Sequence, residues 1–428
     1  MGSKRVKAVA VRGTKALKIY DPQRLIEVSR RVRELSAEHT ARERTTLILN
    51  LKEREEYINE YRKKNVACFG CPVHCFAHLS VPDAGQSATH CINYFYHGPA
   101  TQYYGPSLER DRAVADGFIL SNKLGLDTFE FWHMINFLKD LARAGNREIE
   151  SELPMDKVGS REFIQILLRR IAFRQGLGDL LAEGCARVAE RFPKGWDIGG
   201  RYFPAYGSAA HGPLRNSRGV ALLWALDSRA PVIDQHSFIR LSISYMNEPP
   251  PYTLSPEKAQ AISRKVYGSE GAIDHSTFDF KPEAILHTQD RSAVIDVLVL
   301  CDWLYPGFHS YASPDRSGDT SLESRLLEAV TDYRLTEKEL NRVGERVWNL
   351  SRAIMIKEGR TRKEDTFHES FFKEGSGEKA VPKEDFERAK TNYYRLRGWD
   401  EATGWPTREK LEELDLSDVA RDLFGEKG

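Results

Sequence analysis

The chain has 428 residues, with 63 lysines and arginines against 62 acidic residues and a formal net charge of +1. That balance creates no global field to draw in nucleic acid or an anionic membrane. A mean hydropathy of −0.51, with no 18-residue apolar run, offers no membrane span.

The length predicts two or more domains with ample buried core. The first residues, MGSKRVKAVAVRG, lack the apolar core and cleavage site of a secretory signal. Within them Lys7–Gly13 alternates small and β-branched residues and stops at a glycine, which predicts a short amino-terminal strand. Beyond it the pattern is mainly helical. Asp127 and Glu130 have capping-box spacing ahead of a helix carrying Phe131, Trp132, Ile135, Leu138 and Leu141, with Gly145 as its stop. Thr336 and Glu339 form a second box. There Leu340, Val343, Val347, Leu350 and Ile354 predict the core face, and Gly359 closes the helix. Glu248–Pro256 (EPPPYTLSP) reads as loop, and charged, Gly-containing His368–Asp385 as a second, solvated one. An interruption at DIGGRYFPAYGS divides the chain near residue 205, giving helical domains over 1–205 and 206–428.

Cys68, Cys71 and Cys75 stand at C-x2-C-x3-C spacing in CFGCPVHC, and Cys301 lies alone in VIDVLVLCDW. Gaps of that size let a turning backbone aim three sulfurs at one face of a compact cluster, and a remote fourth closes the coordination. Structural zinc sites usually present two short pairs, and no second C-x2-C exists here. Six cysteines in so long a chain make no disulfide scaffold. The spacing therefore favours an iron–sulfur cluster at the junction of the two domains, in a reducing, cytoplasmic setting. Cys91 stays open as an alternative fourth ligand or a ligand near a metal, and Cys185 reads as a small buried hydrophobe.

Several blocks together resemble one family. MGSKRVKAVAVRG, the cysteine run, SNKLGLDT (Ser121–Thr128), DVLVLCDW (Asp296–Trp303), NRVGERVWNLSRAIMIKEGRTRKEDT (Asn341–Thr366) and YYRLRGWDEATGWPTREKLEEL (Tyr393–Leu414) occur in the order of the tungsten-containing aldehyde:ferredoxin oxidoreductases. The chain is similar to their two carboxy-terminal, mainly helical domains. The resemblance implies a [4Fe-4S] cluster on Cys68, Cys71, Cys75 and Cys301. It also implies a tungsten (or molybdenum) bis-pterin gripped by two D-x-x-G-L segments, one per domain. The first falls on Asn122, Gly125, Leu126 and Asp127, with asparagine for the leading acid. The second falls on Asp296 and Leu300, with Val299 in place of glycine. Glu109, in G-P-x-x-E, and His236 take the positions of the family's active-site glutamate and histidine. Outside the resemblance, a helix-starting glutamate is ordinarily solvated and a lone histidine ordinarily structural.

The resemblance further implies oxidation of an aldehyde to a carboxylic acid, with electrons leaving through the cluster to ferredoxin or an electron-transfer subunit. Two alternatives stand beside it: a tungsten subunit of a benzoyl-CoA reductase-type complex, and a non-catalytic [4Fe-4S] electron-transfer fragment. Family members begin with a β-rich, pterin-covering domain that this sequence lacks. A separate polypeptide supplying that wall, an upstream start or a truncated product would each account for it. The uncovered face is expected to be open and apolar, with Glu109 and His236 on one cavity. Tyr94, Phe95, Tyr96, Tyr103, Tyr104 and Trp224 would suit a hydrophobic substrate, though core packing explains aromatic residues more often.

Overall fold

The computed structural model describes residues 6, 8–16, 18–46, 51–68, 76–89, 95–200, 202–203, 217–227, 254–302, 305–374 and 380–426. The fold is mainly helical. Among the described residues the one sheet is small and antiparallel, in the order β1 (Arg62–Val66), β2 (Phe76–Val81) and β3 (Gly85–Thr89). Ala77, Leu79 and Val81 of β2 alternate into the core, as the two-residue period of a strand requires. Val66 pairs with Phe76, so the CFGCPVHC run is the connection between β1 and β2. Ala8–Gly13 forms no strand in the described residues, in contrast to the expectation. Val9 and Val11 are largely exposed there, and a lone extended segment gains little without a partner strand.

The first core gathers residues between Tyr57 and Phe203. Ser160 accepts a hydrogen bond from the Phe163 amide (3.1 Å) and starts the helix Arg161–Ala172, whose Phe163, Ile164, Leu167, Leu168 and Ile171 are buried. They meet the helices Leu108–Leu124 and Thr128–Arg143. Trp132 lies at the edge of that stripe, 39% exposed.

A second core gathers residues between Val220 and Trp399. Its centre is the crossing of the helices Lys281–Val297 and Glu337–Lys357, where a Cβ on Gly344 would come within 1.9 Å of the Asp290 carbonyl. The Thr336–Glu339 capping box forms as expected. The buried face does not follow the expected stripe, however. Leu340, Gly344, Trp348, Asn349, Arg352, Ala353 and Ile356 point inward, while Leu350 and Ile354 are exposed. A polar network turns the helix. Arg352 donates to both oxygens of Asp365 (3.0 and 2.7 Å), and Arg360 and Tyr394 bind the same carboxylate. His368–Asp385 also departs from the solvated loop expected of it. Phe371 and Val381 are core residues joined by a backbone hydrogen bond of 2.9 Å, and a helix begins at Lys383. Residues 375–379, like the proposed division near 205 and most of Glu248–Pro256, lie outside the described residues.

Two contacts join distant stretches of chain. Trp196 stacks on His368 with ring centroids 4.2 Å apart. The first helix, Pro22–Thr46, packs Val28 and Leu35 against Leu322 of the helix Leu322–Thr331.

Candidate cluster and cofactor site

Cys68 is an exposed free thiol two residues beyond β1. Cys301 is an exposed thiol just past the helix Lys281–Val297. Cys71, Cys75, Cys91 and His236 lie outside the described residues. Among the described residues no group of three or more histidine, cysteine or acidic side chains is arranged to hold a metal ion. Cys68 and Cys301 are both open to ligate an incoming group. Cys185 is not: it is 1% exposed, and burial, then the charge of Glu130, pushes its thiol up. Buried polar atoms lie behind Cys301 as well. Glu323 Oε2 and Tyr305 Oη are enclosed without a hydrogen-bond partner, which is where an ordered water or a bound group is expected.

The two motif segments fold alike. At the end of the helix Leu108–Leu124, Gly125 takes the left-handed conformation (φ 70°), its amide reaching the Asn122 carbonyl and the Leu126 amide the Ser121 carbonyl. At the end of Lys281–Val297, Val299 takes the same conformation (φ 57°). Its amide bonds to the Asp296 carbonyl (3.1 Å) and that of Leu300 to the Ile295 carbonyl (2.9 Å). Each helix thus ends in the same αL cap, one with glycine and one with a valine left 89% exposed. Asn122 donates from its amide to the Phe118 carbonyl (2.9 Å). Asp127 and Asp296 are exposed at the two caps.

Glu109 sits in the first turn of the helix capped by Ser107, about half exposed and ion-paired with Arg112. Arg112 also holds Asp83 in the β2–β3 turn and donates to the Pro82 carbonyl (3.0 Å). Beneath Glu109 lies a carboxylate that the sequence reading missed. Asp111 is 3% exposed, accepting from Tyr61 (2.8 Å) and from Arg110 (2.7 Å). Tyr61 ends the helix Leu51–Tyr61 and leads into β1, so this contact seats the arm that carries Cys68. Nearby, His97 is driven down to about 4, chiefly by burial and then by Arg110. Phe95, Tyr96 and Trp224 are buried core, and Tyr103 is exposed. Tyr94 lies outside the described residues.

The fold is mainly helical, and residues 3–416 match the family model for aldehyde ferredoxin oxidoreductase, domains 2 and 3, which makes the chain an oxidoreductase. The chain belongs to that family. It is 26% identical to the tungsten-containing aldehyde ferredoxin oxidoreductase of Pyrococcus furiosus, over 98% of this chain and 68% of the relative. It is 24% identical to the aliphatic sulfonate oxidoreductase, WOR-like subunit, of the same organism, over 99% of this chain and 66% of the relative. In fold it is similar to the active site complex BamBC of benzoyl coenzyme A reductase in complex with 1,5-dienoyl-CoA. The TM-score is 0.69 at 17% identity, covering 96% of this chain and 68% of the other.

Proposed function

We propose that this chain is the cluster-bearing, cofactor-facing part of a tungsten oxidoreductase that converts an aldehyde and water to a carboxylic acid. A [4Fe-4S] cluster held by the chain's cysteines would carry the two electrons, one at a time, to ferredoxin or a partner subunit, and the two protons would pass to side chains of the protein. The observation that carries the reading is the pair of matching αL caps, which sit on the two segments that the resemblance assigns to the pterins. Asn122, Gly125, Leu126 and Asp127 would bind one pterin, and Asp296 and Leu300 the other. Cys68, Cys71, Cys75 and Cys301 would ligate the cluster. The metal, tungsten or molybdenum, and its pterins would supply the redox chemistry when bound.

Glu109 would serve as a proton-accepting carboxylate, and His236, by the resemblance, as a second proton-transfer group. Glu109 is ion-paired with Arg112, so acting on a substrate requires it to leave or share that guanidinium. A partner subunit is supported by the names of two similar proteins, one a subunit and one a complex.

Anaerobic purification followed by metal analysis tests the reading. Iron at about four per chain, as one cubane cluster requires, is expected together with tungsten or molybdenum and aldehyde-dependent reduction of ferredoxin. Iron without either metal, under co-expression with a polypeptide that supplies the pterin-covering wall, would leave an electron-transfer module in place of an enzyme.

A further inference from the structure

Cys301 and Asp302 are consecutive, yet they face opposite ways. The thiol is exposed, while the Asp302 side chain is 7% exposed and lies 3.4 Å from Nη1 of Arg291. Arg291 is held on every side. Its Nη2 pairs with buried Glu323, its guanidinium lies 4.6 Å above the Phe308 ring, and a Cβ on Gly307 would come within 2.0 Å of Nη2. The Tyr305 amide donates to the Cys301 carbonyl (3.0 Å) and closes the turn. Glu323 stands on the helix Leu322–Thr331, which is itself packed against the first helix.

We propose that Arg291 and Asp302 are positioning residues for Cys301. The buried ion pair fixes the turn from behind, so the thiol is presented outward at one place, and a cluster ligated there is retained by that anchor. The physical reason is the asymmetry of buried charge. Moving Asp302 toward solvent would leave Arg291 with Glu323 as its ion-pair partner but without Asp302, so Asp302 resists displacement although the cysteine before it is exposed. Groups that orient a metal ligand from outside the coordination sphere commonly govern retention of the metal more than the fold. This inference rests on the cluster reading given above.

The test uses the full chain, loaded anaerobically with ferrous iron and sulfide, and follows iron release to bathophenanthroline. Arg291 is a poor target, since its loss strands Glu323. Asp302→Asn keeps the side-chain shape and the Arg291–Glu323 pair. Release is expected to be about tenfold faster in Asp302→Asn than in the parent, with an unchanged circular dichroism spectrum. In a Cys301→Ala background the same substitution should add nothing, because the thiol it positions is gone. A purely structural role predicts equal increments in both backgrounds. Equal increments, or an unchanged release rate in Asp302→Asn, would overturn the anchor while leaving the cluster reading standing. A parent chain that takes up no iron would overturn the cluster reading itself, and the anchor with it.

Discussion

Val299 is the residue most at odds with its own backbone. A β-branched side chain in the left-handed region crowds its following carbonyl, at a cost of roughly 1–2 kcal/mol. Nothing packs on the side chain to repay that cost, since it is 89% exposed. Val299→Gly should therefore raise stability by about 1 kcal/mol after the greater entropy of unfolded glycine is deducted. The midpoint of urea unfolding measures it, and an unchanged or lowered midpoint would refute the strain argument. Glu109 permits a cleaner test of chemistry, because its ion pair with Arg112 is half in solvent. Glu109→Gln should alter stability by no more than about 0.5 kcal/mol. Turnover of the metal-replete enzyme is expected to fall sharply at unchanged tungsten content. Full turnover would remove Glu109 from the mechanism.

At the scale of elements, the helix Glu337–Lys357 shows what a sequence reveals and what it hides. Its capping box and its length were legible, since both depend on local residue types. Its buried face was not. Val343, Val347, Leu350 and Ile354 make a regular apolar stripe, but Arg352 and Asn349 turn inward because Asp365 and Trp399 wait there. Such partners lie far along the chain or in a loop, beyond the reach of periodicity. Asp365→Asn leaves two arginines without their counter-charge and should cost about 3–5 kcal/mol, read as a large drop in the denaturation midpoint. The strands flanking the cysteine run were hidden for a different reason. Arg62–Val66 (RKKNV) and Gly85–Thr89 (GQSAT) carry no apolar alternation, so only β2 has a strand-like core face. The cysteine spacing and the two cap segments were legible because each is set by a few contiguous residues. Asp111 and the Arg291–Asp302–Glu323 group, built from separated ones, were not.

For the whole molecule, buried imidazoles set the response to acid. Burial drives His275 and His287 down to about 4, with Lys281 acting further on the first and Arg291 on the second. Unfolded, each titrates near 6.5. Between those values the unfolded chain binds more protons, so stability is full above about pH 7 and falls as the pH drops from 6.5 to 4. His275 alone accounts for a loss on the order of 3 kcal/mol at the bottom of that window. Asp365 acts lower down. Although burial opposes its ionisation, its two arginines hold the carboxyl below its usual 3.8, so its contribution disappears only in stronger acid. Asp290 works against the two histidines, because burial lifts its carboxyl to about 6 and the folded chain gains that proton in the same window. Melting temperatures between pH 7 and 4 should therefore fall less steeply in His275→Gln than in the parent, and equal slopes would show that His275 is not held neutral in the fold.

The seating of the first helix has a consequence for how the protein is made. Ser310 donates to the carbonyl of Leu35 across 275 positions of sequence, and Val28 and Leu35 pack with Tyr305 and with Leu322 of the helix that ends at Thr331. A ribosome adding roughly 5–20 residues per second takes tens of seconds to deliver that cover. During that interval Val28 and Leu35 lack the Tyr305 and Leu322 that cover them in the fold, although the core around Phe163 and Leu167 is already complete in sequence. Newly made chains are therefore most open to chaperones, and to proteolysis between Pro22 and Ser36, in the time before residue 331 emerges. Pulse-labelled nascent chains stalled ahead of Ser310 should be cut there, and released full-length chains should resist.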